Sequence, residues 1–350
     1  MDELQHYGLT DRISSLFGAA FPDRQCKPGR VVRVDRSRML VATAHGIEKH
    51  DARPDVATGD WVALTGADST HSAIVGVMPR YSVLQRKKAH DPLAEVQVLA
   101  ANVDLVGVVV PLDRPISSNR LERTLVAAWD SGAVPLVILT KADLSNRFDE
   151  VVAQTVERAG AAEVLTTSAD TGDGLDEVLA RFRPGATVVL LGPSGAGKSS
   201  LVNALVGTAV QDTGAVRAGD GRGKHTTTSR ELIPLPGGAV LMDTPGVRGF
   251  ALWDAAGGLD EVFGDIEELF AHCRFTDCRH GPEPGCAVQA ALASGALEER
   301  RWLSYQKMAE ELEHLHRRQT DVSRIRDRGS HHQARESAMA KDHRNRFRKT

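Results

Sequence analysis

The sequence predicts a multidomain α/β protein: a small N-terminal β-barrel, a central doubly wound and mostly parallel sheet, and a C-terminal helical unit ending in a basic tail. Three observations carry this. Short strand-like runs punctuated by Gly, Pro and Asp fill residues 28–88. Buried-strand and helix patterns then alternate from about residue 103. After about residue 257 the periodicity is helical, broken by a cysteine-rich loop. The 350 residues are enough for two or three domains with at least one full core.

In the first part the runs Gly29–Val34, Met39–Ala42, Trp61–Leu64 and Ala73–Val77 suit a five-stranded OB-type barrel. Pattern alone admits other small barrels. Trp61 reads as core of that barrel rather than as a stacking platform. The continuous apolar run Val103–Val110 suits a strand covered on both faces. A helix over 119–129, a buried strand over 134–139, a helix near 150–160 and strands at 163–166 and 187–191 continue the alternation. The expected divisions are 1–88 for the barrel, with 1–27 as an extension, 89–256 for the central domain, 257–316 for the helical unit and 317–350 for the tail.

Composition excludes several classes. With 41% hydrophobic and 25% charged residues, the chain is neither fibrous nor wholly disordered. No run approaches the ~18 apolar residues of a membrane span, and Met1-Asp2-Glu3-Leu4 lacks the basic start of a signal peptide. A cytoplasmic, membrane-free protein is expected. Four cysteines are too few for a disulfide scaffold. Charge is uneven: net +3 over 1–90, −11 over 91–297 and +5 over 298–350. The basic ends are the candidates for an anionic partner. From Arg317 onward, 11 Lys/Arg face 4 Asp/Glu with few large apolar residues, the composition of a segment disordered when free.

Gly192-Pro193-Ser194-Gly195-Ala196-Gly197-Lys198-Ser199 fits G-x-x-x-x-G-K-[ST] between an expected strand and an expected helix. Glycines let the backbone curl so that N–H groups point at phosphates, and the helix N-terminus adds positive potential. Lys198 would reach the terminal phosphates, Ser199 would bind Mg²⁺, and Ser200 completes the nucleotide-binding set.

Thr140-Lys141-Ala142-Asp143 is similar to the guanine-specificity motif Asn-Lys-x-Asp. The Asp143 carboxylate suits the paired donors on the guanine edge. Adenine offers no such pair and would leave the carboxylate unmatched. Thr140 stands where Asn is usual, and weaker guanine affinity is expected from it. Thr167-Ser168-Ala169 is similar to the loop whose backbone contacts the base. Asp243-Thr244-Pro245-Gly246 is similar to Asp-x-x-Gly, with Asp243 toward Mg²⁺ and the Gly246 N–H toward the γ-phosphate. Among Thr226, Thr227 and Thr228, one is expected to close on Mg²⁺.

Base-reading motifs precede the phosphate loop here, the reverse of Ras-like order, so the central domain reads as a circularly permuted GTPase domain. The order, together with 221–232, Asp243–Arg248 and the cysteine cluster, resembles the RsgA/YjeQ family of small-ribosomal-subunit-dependent GTPases. The resemblance covers about residues 28–310. It implies an OB-type barrel, a permuted GTPase domain and a zinc domain. It also implies binding of GTP and GDP, binding of the small (30S) subunit and its rRNA during late maturation, and GTP hydrolysis stimulated by that subunit.

Cys273, Cys278, His280 and Cys286 supply three thiolates and one imidazole within a short loop, a set suited to one closed, structural Zn²⁺. His272 is an alternative ligand beside Cys273. The family resemblance places zinc on the former four.

Val247 occupies the position after the Asp-x-x-Gly glycine where Ras-like enzymes carry the water-orienting Gln. His225 is the candidate to replace it, by its place in the threonine loop and by the resemblance. Arg30, Arg33, Arg36, Arg38, Arg86, Lys87 and Lys88 suit salt-sensitive phosphate contacts with RNA. A monomer is expected. Competing readings are an RNA-binding nucleotide switch with little catalysis and a P-loop kinase or ATPase.

Overall fold

The computed structural model describes residues 3–22, 25–66, 72–87, 96–207, 230–243, 256–315 and 317. Two helices open it, α1 (Glu3–His6) and α2 (Asp11–Ala20). Thr10 caps α2, its side-chain oxygen accepting from the Ile13 N–H at 3.3 Å. Ile13 and Phe17, four residues apart, share the face that α2 buries.

Five antiparallel strands follow: β1 (Lys27–Val34), β2 (Arg38–Thr43), β3 (Gly46–Asp51), β4 (Trp61–Thr65) and β5 (Ala73–Val77). Their spatial order is β3-β2-β1-β4-β5. The two-residue period of a strand sends Val31 into a small core with Met39, Val41, Val62 and Leu64. It sends the next residue, Val32, into the main core with Trp61 and Ala63. Trp61 is therefore core, as expected.

Arg30 departs from the phosphate contact with RNA expected of it. Arg30 does not present its charge to RNA. It is 1% exposed, donates to Thr187 Oγ1 at 2.9 Å and to the Asn102 carbonyl at 3.4 Å, and lies 4.5 Å from the Trp61 ring centroid. Burial holds its guanidinium below the ordinary arginine pKa. It fastens the five-stranded unit to the foot of the central sheet.

β6 (Val83–Lys87) and β7 (Val96–Ala101) form a separate antiparallel pair. Then come β8 (Leu105–Pro111), α3 (Ser118–Asp130), β9 (Val134–Thr140), a 3-10 turn (Ala142–Leu144), α4 (Phe148–Ala159) and β10 (Glu163–Thr166). They are followed by α5 (Leu175–Arg181), β11 (Thr187–Leu191), α6 (Lys198–Val206), β12 (Glu231–Pro234) and β13 (Val240–Asp243). The central order is β10-β9-β8-β11-β13-β12, parallel throughout except at β12. Consecutive residues alternate between two cores. Val108, Val137 and Val189 join the main core with Leu125 and Val126 of α3. Val109, Ile138 and Leu190 join a second core with Val178 of α5 and Leu201 of α6. Helices thus cover both faces, which explains strands that are apolar at nearly every position.

The two sheets are continuous. β1 pairs with β12 at Arg33 and Glu231, so eleven strands form one sheet. The chain then turns helical with α7 (Ala256–Phe270), α8 (Ala287–Ser294) and α9 over 299–315. Phe263, with non-helical φ −120°, kinks α7 where its buried ring meets Tyr305 edge-on at 5.7 Å.

Candidate nucleotide site and metal centre

The candidate residues gather at the C-terminal ends of parallel strands, where open α/β sheets bind ligands. β11 ends at Leu191 and the phosphate loop leads into α6. A Cβ on Gly192 would lie 2.4 Å from the Val109 carbonyl of β8, so only glycine lets the loop leave there. Gly197, with φ +85°, turns the chain into α6. Lys198 folds back over the loop, its Nζ donating to the carbonyls of Gly192 at 2.8 Å and Pro193 at 2.9 Å. Ser199 is half-buried and Ser200 exposed in the first turn of α6, and Ser194 and Gly195 are exposed at the loop crest.

The base-reading candidates lie across the same edge. Thr140, at the end of β9, is buried and its hydroxyl donates to the Ala196 carbonyl at 2.6 Å. This ties the two motifs directly. Lys141 adopts a left-handed conformation, φ +60°, and starts the turn that presents Asp143. Asp143 is exposed and accepts from Ser168 Oγ at 2.6 Å. The buried Thr167 is held by its N–H to Leu139 O at 2.7 Å and its hydroxyl to Asp173 O at 2.8 Å. Ala169 follows, half-buried. The expected phosphate and base motifs therefore meet. Asp243 ends β13, but its side chain, His225, the threonines at 226–228, and Gly246 lie outside the described residues.

Two neighbours were not singled out by sequence. Asp113 Oδ2 lies 2.6 Å from Lys141 Nζ, and Arg114 Nη2 donates to the Gly195 carbonyl at 2.9 Å. Lys141, then Arg114, hold the Asp113 carboxyl below the usual carboxylate range. The signal that could have found them is position, since both follow the C-terminal end of β8.

In the helical unit, Cys273, Cys278, His280 and Cys286 bring their ligand atoms within 4.8 Å of one another. Cys273 Sγ is 4.0 Å from Cys286 Sγ and 3.5 Å from His280 Nδ1. A tetrahedron with Zn–S bonds of about 2.3 Å has edges of about 3.8 Å, so three thiols and one imidazole within 4.8 Å are a donor set that suits zinc after a small contraction. His280 faces the thiols through Nδ1, stacked on Phe270 at 4.0 Å between centroids. Gln289 Nε2 donates to the His280 carbonyl at 2.8 Å, fixing the turn, φ +58°, that aims the ring.

A family model described as RsgA GTPase matches residues 77–253. A curated Streptomyces coelicolor protein named small ribosomal subunit biogenesis GTPase RsgA is 47% identical over 318 residues, covering 88% of this chain and 86% of that one. The chain belongs to the RsgA GTPase family. A further RsgA relative, from Oceanobacillus iheyensis, is 41% identical over 303 residues, covering 83% of this chain and 86% of its own. The crystal structure of YjeQ from Thermotoga maritima matches with a TM-score of 0.59 at 27% identity, covering 82% of this chain and 98% of that one. A structure titled YloQ, a circularly permuted GTPase, matches at 0.58 and 22% identity over 83% of this chain and 96% of that one, a likeness of fold alone. In this RsgA-family chain β9 and β10, which carry the candidate base motifs, precede β11 and the phosphate loop in sequence, yet all lie in one sheet. No helix among the described residues is long and apolar enough to cross a membrane.

Proposed function

We propose that this chain hydrolyses GTP to GDP and phosphate as a switch on the small ribosomal subunit during its late maturation, stimulated by that subunit. The observation that carries the reading is the tie from Thr140 to Ala196, which seats a guanine-type motif against a phosphate loop. The set Gly192 to Ser200 binds the phosphates. Lys198 leaves its two carbonyl partners for the phosphate oxygens, while Asp143, Lys141 and the 167–169 loop read the base. Ser199 and Asp243 hold Mg²⁺ with GTP, which neutralises charge on the phosphates. Gly246 senses the γ-phosphate. His225 orients the attacking water in place of the glutamine that Val247 displaces.

The rest of the chain serves the RNA partner. Residues 1–88 form an OB-type barrel unit, 89–256 the GTPase domain, 257–316 a zinc-stapled helical domain and 317–350 a basic tail. Arg36, Arg38, Arg86, Lys87, Lys88 and the tail contact rRNA phosphates, Arg33 being held instead by Asp35 and Glu231, and the closed four-ligand set makes zinc structural. The protein acts as a monomer in the cytoplasm, away from membranes. The test is GTP hydrolysis by the purified protein with and without isolated small subunits, with ATP as control. GTP-selective stimulation supports the reading. Good turnover without stimulation discards the ribosomal partner, and preference for ATP discards the role of Asp143.

A further inference from the structure

The loop after β8 joins both halves of the nucleotide site. Leu112 starts it, buried, with its N–H donating to the Thr140 carbonyl at 2.9 Å. Asp113 then takes Lys141 Nζ on Oδ2 at 2.6 Å and Arg114 Nε on Oδ1 at 3.0 Å. Arg114 spends its far end on the Gly195 carbonyl at 2.9 Å. A continuous polar chain thus runs Lys141–Asp113–Arg114–Gly195, from the base-reading motif to the crest of the phosphate loop. Both tethered positions are left-handed, Lys141 at φ +60° and Gly195 at φ +74°. For Lys141, a non-glycine residue, that conformation needs outside restraint, whereas glycine adopts it freely.

We infer that Asp113 and Arg114 are positioning residues for the guanine nucleotide. This rests on the nucleotide reading above. Asp113 anchors the ammonium of Lys141 so that its methylene stem lies flat beneath the base. Arg114 fixes the carbonyl of Gly195 so that the loop N–H groups stay turned toward phosphate. Their effect passes through Lys141 and Gly195, the groups their side chains hold.

The roles separate with two probes, fluorescent GDP and inorganic pyrophosphate, the latter measured by competition. Asp113→Asn keeps the side chain's shape and removes its charge. It should weaken GDP about fivefold, the upper range for a partly exposed ion pair, and leave pyrophosphate unchanged, since pyrophosphate has no base. Arg114→Ala should weaken both probes by similar factors. Asp113→Asn added to Lys141→Ala should cost GDP nothing beyond Lys141→Ala alone. General damage to the site would instead weaken both probes in every variant. Equal loss of GDP and pyrophosphate in Asp113→Asn, or full additivity with Lys141→Ala, would overturn the inference while leaving the nucleotide site intact. Failure of the unaltered protein to bind GDP would overturn the nucleotide reading, and the inference with it.

Discussion

Glu122 of α3 accepts from Arg300 of α9 at 2.9 Å in a position with no solvent exposure. Ser304 donates to its other oxygen at 2.7 Å, and Arg301 reaches it at 3.5 Å while also pairing with Asp265 of α7. A carboxylate buried this deeply persists only when its partners are complete. The helix that starts beside the nucleotide site is therefore locked to the C-terminal helices by charge as well as by packing. Glu122→Ala should destabilise the protein by about 1–3 kcal/mol, because Ser304 and two arginines lose a buried acceptor while Arg300 keeps access to water and Arg301 keeps Asp265. Glu122→Gln, which keeps the shape, should cost less. Denaturant unfolding of both variants checks this, and a loss under about 1 kcal/mol in Glu122→Ala would show the network to be idle.

The Thr140 hydroxyl has a defined task at the site. Thr140→Val keeps its volume and removes the bond to the Ala196 carbonyl. Guanine nucleotide binding should weaken about fivefold, near 1 kcal/mol for one neutral hydrogen bond. Titration with labelled GDP measures it. Unchanged affinity would mean that packing alone holds the two motifs together.

Cys278→Ser should reduce bound zinc from one per chain to none, read by elemental analysis. The loop over 273–286 contains little apolar material, so its order should depend on the metal. Limited proteolysis should then cut between 273 and 286 in the variant and not in the parent. GDP affinity should stay the same, since its ligands lie elsewhere in the chain. Acidification should release zinc as the thiolates take up protons. Zinc retained at full occupancy in the variant would assign the metal to other ligands.

His225→Ala should bind GTP as well as the parent does and lose subunit-stimulated turnover by about 10²-fold or more. Single-turnover hydrolysis with saturating small subunits separates binding from chemistry. Normal stimulated turnover would remove His225 from the mechanism.

Much of this was legible in the sequence because it rests on local rules. The phosphate loop, the Thr140–Asp143 turn and the cysteine cluster each sit within a dozen or so residues, and each occupies the element its pattern implied. The central strands announced themselves as apolar runs because both faces are covered. What sequence missed depends on contacts between distant segments. Arg30 looks like any strand arginine until Thr187, 157 residues away, closes over it. β3 reads Gly-Ile-Glu-Lys-His-Asp, with little apolar signal, because its outer face is solvated and, among the described residues, it pairs only with β2. Asp113 and Arg114 carry no motif at all, and their meaning comes from where β8 ends.

The seam between Arg33 and Glu231 joins residues 198 positions apart. During synthesis the N-terminal strands emerge first, and β1 waits with that stretch of its edge unmatched while the base-reading strands and the phosphate loop are made. Open strand edges invite pairing with other chains, and domains made first must fold before their late partners arrive. The pairing of β12 with β1 thus marks how far synthesis has gone: a nascent chain halted before residue 231 would carry an unfinished seam.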